Sequence, residues 1–296
     1  MCGRYVMAKA TSDLVAAFAA DQAVGEDIAP SWNVAPTDDV RIVTERARHR
    51  PVPGNDGGRN RGGNADDGGA GNADDDGAHV GGASDGGGAG TNDGSANDGS
   101  ANDGSAGSAD AAATIRRLAT AKWGLVPVWA KDPKIGARMI NARRETVLEK
   151  PAFRKAARKR RALVPADGYY EWEKSGSAKI PTYLYSPSSD PLAFAGLYEY
   201  WPDPSLPEDD EHKWLVSFTI ITTEASDALG HIHDRTPLIV PPDLYGDWLD
   251  PQLTETAEVH QLLDAVPEPV LTPRVVSAEV NSVRNNGPQL ILPVPG

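Results

Sequence analysis

The sequence predicts an α+β domain, built on a curved, mostly antiparallel sheet with flanking helices. Three observations carry this reading. Apolar, β-branched and aromatic runs of strand length recur at 41–43, 162–165, 193–197 and 217–222, each bounded by Pro, Gly or acidic residues. Helical patterns interleave with these runs without the strand–helix–strand rhythm of a doubly wound fold. Once a polar stretch at 51–112 is set aside, about 230 residues remain, enough for one large domain.

In chain order, 12–21 reads as a short helix with Leu14 and Phe18 on one face. Arg41-Ile42-Val43 reads as a strand, and order resumes at Ile115. Pro151 suits the first turn of a helix running to Arg161. Strands are expected at 162–165, 193–197 and 217–222, and helices at 242–249 and 254–265.

The stretch 51–112 holds 11 Asp and 2 Arg, and so carries −9 of the formal net charge of −13. It also holds 19 of the 30 glycines and a tandem NDGSA repeat from Asn92 to Ala106. With almost no apolar side chains it cannot offset its ordering entropy by burial, so it is expected to be a disordered acidic insertion. It lacks the regular apolar position of calcium-binding nonapeptide repeats. Accordingly, 1–50 and 113–296 are expected to form one domain around it.

Cys2 is the only cysteine. One thiol makes neither an internal disulfide nor a cysteine-based zinc site, which fits a reducing interior. The N-terminus shows no basic stretch leading into an apolar core, and no apolar run approaches the length of a membrane span. The expectation is a soluble, cytoplasmic protein with no membrane partner.

Methionine before a small residue is normally trimmed, so the mature chain is expected to begin at Cys2. A terminal cysteine offers an amine and a thiol that can capture an aldehyde together. The amine gives an imine, the thiol closes on the imine carbon, and a thiazolidine results. Reference pKa values of about 8 and 8.5 make both groups tunable toward neutrality. The plainer reading is a buried cysteine.

Four further segments are dense in functional side chains. Asn141 and Arg143 stand two apart on an extended stretch and so point the same way, toward a phosphate or sugar oxygen, unless they form a solvated Asx-turn. Glu171 lies between Tyr170 and Trp172 at an expected strand end, where desolvation would raise its pKa toward the range of a general acid–base. His231 and His233 are two apart, but without spare cysteines or an HExxH pattern they do not suggest a metal. His233, followed by Asp234 and Arg235, reads instead as a proton shuttle beside an anion contact. The polar segment 280–287 either lines a cleft or closes the fold. Six cations at 154–161 suggest a basic helix facing nucleic acid, or a solvated face.

Taken together, Met1-Cys2-Gly3-Arg4-Tyr5, Trp32-Asn33-Val34-Ala35-Pro36, Trp123-Gly124-Leu125-Val126-Pro127, Ile140-Asn141-Ala142-Arg143, the run from Pro165 to Trp172 and the run from Ile232 to Pro237 resemble, in order, the SOS-response-associated peptidase (SRAP) family of abasic-site processing proteins. The resemblance spans nearly the whole chain except 51–112. It implies a single barrel-like domain with a DNA-binding groove, crosslinking to abasic sites in single-stranded DNA through the terminal cysteine, no cofactor and a monomeric state. By the same resemblance Cys2 supplies amine and thiol, Asn141 positions the amine and the sugar or its phosphate, and Glu171 acts as acid–base. His233 moves the proton of the sugar hydroxyl, while Arg4, Arg143 and Arg235 contact phosphates. Trp123 packs against bases or the core, as does Trp32. Arg144 stands where a smaller residue is usual and is expected to add a phosphate contact. Two other classes stay open: an N-terminal-nucleophile amidohydrolase, and a non-covalent DNA-binding module.

Overall fold

The strand-forming runs pair into two sheets, and one of them closes on itself. The computed structural model describes residues 2–48, 114–225 and 232–294. The expected disordered insertion at 51–112 and His231 lie outside the described residues.

The closed sheet is a five-strand barrel. Its members are β4 (Asp39–Ala47), β5 (Thr114–Trp123), β7 (Arg161–Ala166), β10 (Leu192–Pro202) and β11 (Trp214–Glu224). They run in the order β11-β10-β7-β4-β5, and β5 returns to β11. Four of these pairs are antiparallel and β5 with β11 is parallel. That single parallel pair is a matter of parity, because five strands cannot alternate direction all the way round a ring. Short strands extend it: β2 (Gln22–Ala23) pairs with β5, while β6 (Asn141–Arg143) and β12 (Arg235–Pro237) pair with the last residues of β11.

The second sheet is antiparallel, in the order β13 (Thr272–Val275), β9 (Ala178–Tyr185), β8 (Gly168–Ser175), β1 (Tyr5–Met7) and β3 (Ser31–Val34). Strand β1 joins the two cores through its two-residue period. Tyr5 packs edge-on against Trp123 and Phe194, with centroids 5.2 and 5.7 Å away. Val6 turns the other way, to Tyr170, Tyr183 and Val280. Gly168 makes the β1–β8 register possible, pairing with Val6. A Cβ there would lie 2.5 Å from the Tyr183 ring and 2.6 Å from the Leu184 carbonyl oxygen.

Helices pack outside the barrel and are shorter than the sequence suggests. Helix α1 (Thr11–Ala17) ends before Ala19, whose φ of 48° breaks the helical path. Of the helix expected at 151–161, only α2 (Arg154–Lys159) forms. Pro151 lies in the preceding turn, and Arg161 already begins β7, because the apolar run behind it is needed as a barrel strand. A 3-10 turn over Pro242–Leu244 leads into α3 (Tyr245–Leu249), and α4 covers Thr256–Ala265. Trp248 of α3 donates its indole N–H to the Ala162 carbonyl at 2.8 Å, and Arg161 donates back to the Trp248 carbonyl at 2.7 Å. No helix among the described residues is long and apolar enough to cross a membrane.

Candidate active site

Cys2 is fully buried just ahead of β1, and its surroundings are held by a hub on Asn33. The Arg4 guanidinium donates to Asn33 Oδ1 at 2.8 Å and to the Val280 carbonyl at 3.0 Å. Asn33 Nδ2 donates to the Ser282 and Asn285 carbonyls at 2.9 and 2.8 Å. The Trp32 amide donates to Asn286 Oδ1 and the Trp172 indole to Asn281 Oδ1, both at 2.7 Å. The 280–287 segment therefore acts as a strap that closes the fold over β3 and β8.

Three chain segments bring polar groups to Cys2. Strand β6 lies parallel to β11, with Asn141 level with Ile220 and the buried Ala142 between Asn141 and the exposed Arg143, so the extended, same-side reading of that pair holds. Asn141 Nδ2 donates to the Cys2 carbonyl at 2.7 Å. Its Oδ1 is buried, with no donor among the described residues. Strand β8 pairs with β1 at Tyr5 and Tyr169, and the Tyr170 amide donates to the Arg4 carbonyl, which sets Glu171 opposite Gly3. Glu171 is 3% exposed and lies inside its strand rather than at the end. The Tyr169 hydroxyl and Thr236 Oγ1 lie 2.8 Å apart, tying β8 to the segment that carries His233. Tyr169, Glu171, His233 and Thr236 line one cleft.

The electrostatics follow from burial. Desolvation lifts the Glu171 carboxyl to about 7, against the pull of the positive amino terminus. The Cys2 thiol is raised well above its ordinary value, by burial first and by the Glu171 charge second. Thus the thiol is held protonated, contrary to the easy ionisation expected of a terminal cysteine. His233 is pushed down by burial and by the amino terminus, with Asp234 opposing. Its Nδ1 lies 2.8 Å from Asp234 Oδ1 and 3.0 Å from the Arg235 amide N–H. The two contacts ask for opposite states of that nitrogen, since a carboxylate needs a donor and an N–H needs a lone pair.

The expected DNA contacts fare unevenly. Trp123 is fully buried, stacked on Phe218 inside the barrel, with its indole N–H on the Ile140 carbonyl at 2.9 Å. It cannot meet a base, which corrects that expectation. Trp32 packs partly buried under the strap. Arg4 is committed to the Asn33 hub. Arg235 forms a bidentate pair with Glu145 at 2.9 and 3.0 Å and also donates to the Thr222 carbonyl. Although burial pushes Glu145 up, its bonds to Arg235 prevail and hold it below its ordinary value. Arg144 bonds Asp264 at 2.5 Å, so its added phosphate contact is already spoken for. Half of the basic run at 154–161 is structural, while Arg154, Lys155 and Lys159 are exposed. Arg158 holds the Thr254 carbonyl, Arg160 pairs with Glu199, and Arg161 holds Asp250, with burial lowering its pKa to about 10. Asn33, Glu145 and Thr236 lie in or beside the quoted motifs but are given no role by the sequence, because each acts through a residue far along the chain.

A family model described as SOS response associated peptidase (SRAP) matches residues 1–283. The abasic site processing protein YoqW of Bacillus subtilis (strain 168) is 43% identical over 176 residues, which cover 59% of this chain and 76% of that protein. The abasic site processing protein HMCES of Xenopus tropicalis is 33% identical over 202 residues, or 61% of this chain and 58% of that one. A crystal structure of a Bacteroides thetaiotaomicron protein superposes with a TM-score of 0.52 at 29% identity, covering 60% of this chain and 78% of that one. A Bordetella bronchiseptica structure, at 21% identity and a TM-score of 0.56, covers 93% and 100% and shares the fold.

Proposed function

The chain belongs to the SOS response associated peptidase (SRAP) family, and on that premise we propose that it processes abasic sites in DNA by bonding covalently to them through Cys2. The observation that carries this reading is the bond from Asn141 to the Cys2 carbonyl, beside a carboxyl that titrates near neutrality. The relatives named as abasic site processing proteins support it.

Removal of Met1 gives Cys2 a free amine. An abasic sugar is mostly a closed hemiacetal, so a proton must leave its hydroxyl and another must reach the ring oxygen. Glu171, titrating near 7, is suited to both transfers, and His233 to the hydroxyl. The amine condenses with the exposed aldehyde, and water leaves. The thiol then adds to the imine carbon, and its proton passes by way of Glu171 to the nitrogen. In this reading Asn141 Oδ1, buried without a donor among the described residues, accepts from the new amine. Arg143, exposed beside Asn141, meets a backbone phosphate without reading sequence. Since no base need be flipped, a single strand suffices as substrate.

We read the protein as a cytoplasmic monomer that needs no cofactor. Residues 1–50 and 113–296 form the catalytic domain, a division supported by the pairing of Ala47 with Thr114 across the insertion. Mass spectrometry after mixing with abasic single-stranded DNA tests the reading. A stable adduct on the peptide beginning at Cys2 supports it. Amide cleavage would favour a hydrolase, and binding alone a non-covalent module.

A further inference from the structure

The barrel has two ends. One carries the Cys2 site, where β6 and β12 pair with β11 between Ile220 and Glu224. The other opens, near Val216, into a cavity of about 240 Å³ among β4, β5, β10 and β11. The strand from Val216 to Thr222 spans about 20 Å, so these are separate places.

Strand alternation gives this end an unusual charge pattern. Thr44 and Arg46 of β4 line the cavity, while Glu45 turns outward to Arg116 at 3.0 Å. Arg117, level with Thr44 on β5, lines it as well. Tyr198 and Tyr200 of β10 line it, while Glu199 between them turns outward to Arg160 at 2.7 Å. The neighbouring carboxylates thus face away, and among the described residues no carboxylate lines the cavity. The Arg46 guanidinium lies over the Tyr200 ring, 5.0 Å from its centroid. Arg117 Nε is buried with no hydrogen-bond acceptor among the described residues. A buried cationic N–H without an acceptor is costly, and such groups in native folds usually have a partner.

We infer that this end of the barrel binds a small oxyanion carried on a planar, partly apolar body, of the class of aryl phosphates and aryl carboxylates. The Arg46 and Arg117 guanidinium groups, which both line the cavity, take the oxyanion. The tyrosine rings and Val216 take the planar body, in the manner of a cavity at a barrel mouth. The volume suits a small molecule rather than a polymer. The inference does not depend on the chemistry proposed for Cys2.

The test is calorimetric titration of the full chain with phenyl phosphate, benzoate and neutral benzyl alcohol. Saturable binding of either anion is expected, the stronger one identifying the oxyanion, with no binding of the alcohol. Arg117→Gln and Arg46→Gln are each expected to weaken it about tenfold, whereas Arg143→Ala leaves it unchanged. Ring resonances of Tyr198 and Tyr200 in the unmutated protein should shift during the titration, which keeps the test decisive if a variant fails to fold. No saturable binding of either anion up to about 10 mM would overturn the inference. So would equal binding by both arginine variants, alcohol binding as tight as the anions, or unmoved tyrosine resonances. Crosslinking to abasic DNA by Arg117→Gln should proceed at the unmutated rate, so failure of one reading leaves the other standing.

Discussion

Asn141 holds the carbonyl of Cys2 at 2.7 Å, across 139 positions of sequence. Cys2, the residue proposed to react, lies close to the amino terminus, where fraying is the rule, yet its peptide is fixed to a barrel-linked strand. Asn141→Ala should therefore slow crosslinking tenfold or more, roughly what a misplacement of a fraction of an ångström costs, while thermal stability changes by about 1 kcal/mol. Single-turnover rates beside melting curves check this. A rate within about twofold of the unmutated protein would show that the tether is incidental.

Cys2→Ser should abolish the heat-stable adduct. Serine keeps the amine, so an imine still forms and is trapped by borohydride. An adduct as heat-stable as that of the unmutated protein would rule out the thiazolidine.

The raised pKa of Glu171 carries a signature in stability. Its folded value, about 7, lies above the ordinary value of 4.5, so between them the native state binds more protons than the unfolded chain. Stability should fall as pH rises through that window, by up to roughly 3 kcal/mol. His233, whose folded pKa is lowered, contributes with the opposite sign, losing stability as pH falls below its unfolded value. The difference between the unmutated protein and Glu171→Gln isolates the carboxyl. That difference, from melting curves at pH 5 to 8, should grow with pH in favour of the variant. The crosslinking rate should also lose its inflection near pH 7 in Glu171→Gln, with binding to intact single strands retained. Parallel stability profiles would mean that Glu171 is not the titrating group.

Glu145 holds the Arg235 guanidinium in a bidentate pair, and would compete with a phosphate for it if Arg235 meets DNA as the family resemblance implies. Glu145→Gln should tighten binding to single-stranded DNA at low salt and steepen its salt dependence by up to about 0.7 in the logarithmic slope. Arg143→Ala should do the reverse, weakening all sequences alike. Equilibrium binding at several salt concentrations decides, and an unchanged slope in both variants would remove these arginines from the interface.

Ala47 pairs with Thr114, so the ends of the gap are already strand neighbours. Replacing 49–113 by a short Gly-rich turn should keep the fold and the crosslinking chemistry. Stability should hold or rise by up to roughly 2 kcal/mol, from the smaller loop-closure entropy. Affinity for DNA at low salt should rise slightly as the acidic residues are removed. Loss of the folded circular dichroism signal would show that the segment is structural.

What was legible in the sequence was local. Glu171 stood out because aromatic neighbours on a strand imply desolvation, and Asn141 with Arg143 because a two-residue step keeps both on one side. Strand cores were legible for the same reason, each being a short apolar run. What stayed hidden was long-range. Nothing near Arg235 announces Glu145, 90 positions away. Nothing local shows Arg4 serving Asn33, and 280–287 reads equally as cleft lining or as closure of the fold. Trp123 looked available because barrel closure, through the parallel β5–β11 pair, is not written in any local pattern. Helix ends were misjudged where a neighbouring strand claimed the residues, as Arg161 shows.

The zero exposure of the sole thiol has a practical side. To an alkylating reagent, the folded chain with Met1 in place should look like a protein without cysteine. Its single equivalent should appear only in denaturant. Surveys that find functional cysteines by their appetite for electrophiles would pass over it. The same concealment shelters it from oxidants, which attack thiolates within reach of solvent. If Cys2 bonds to abasic sites as proposed, its burial keeps it from electrophiles that arrive through solvent.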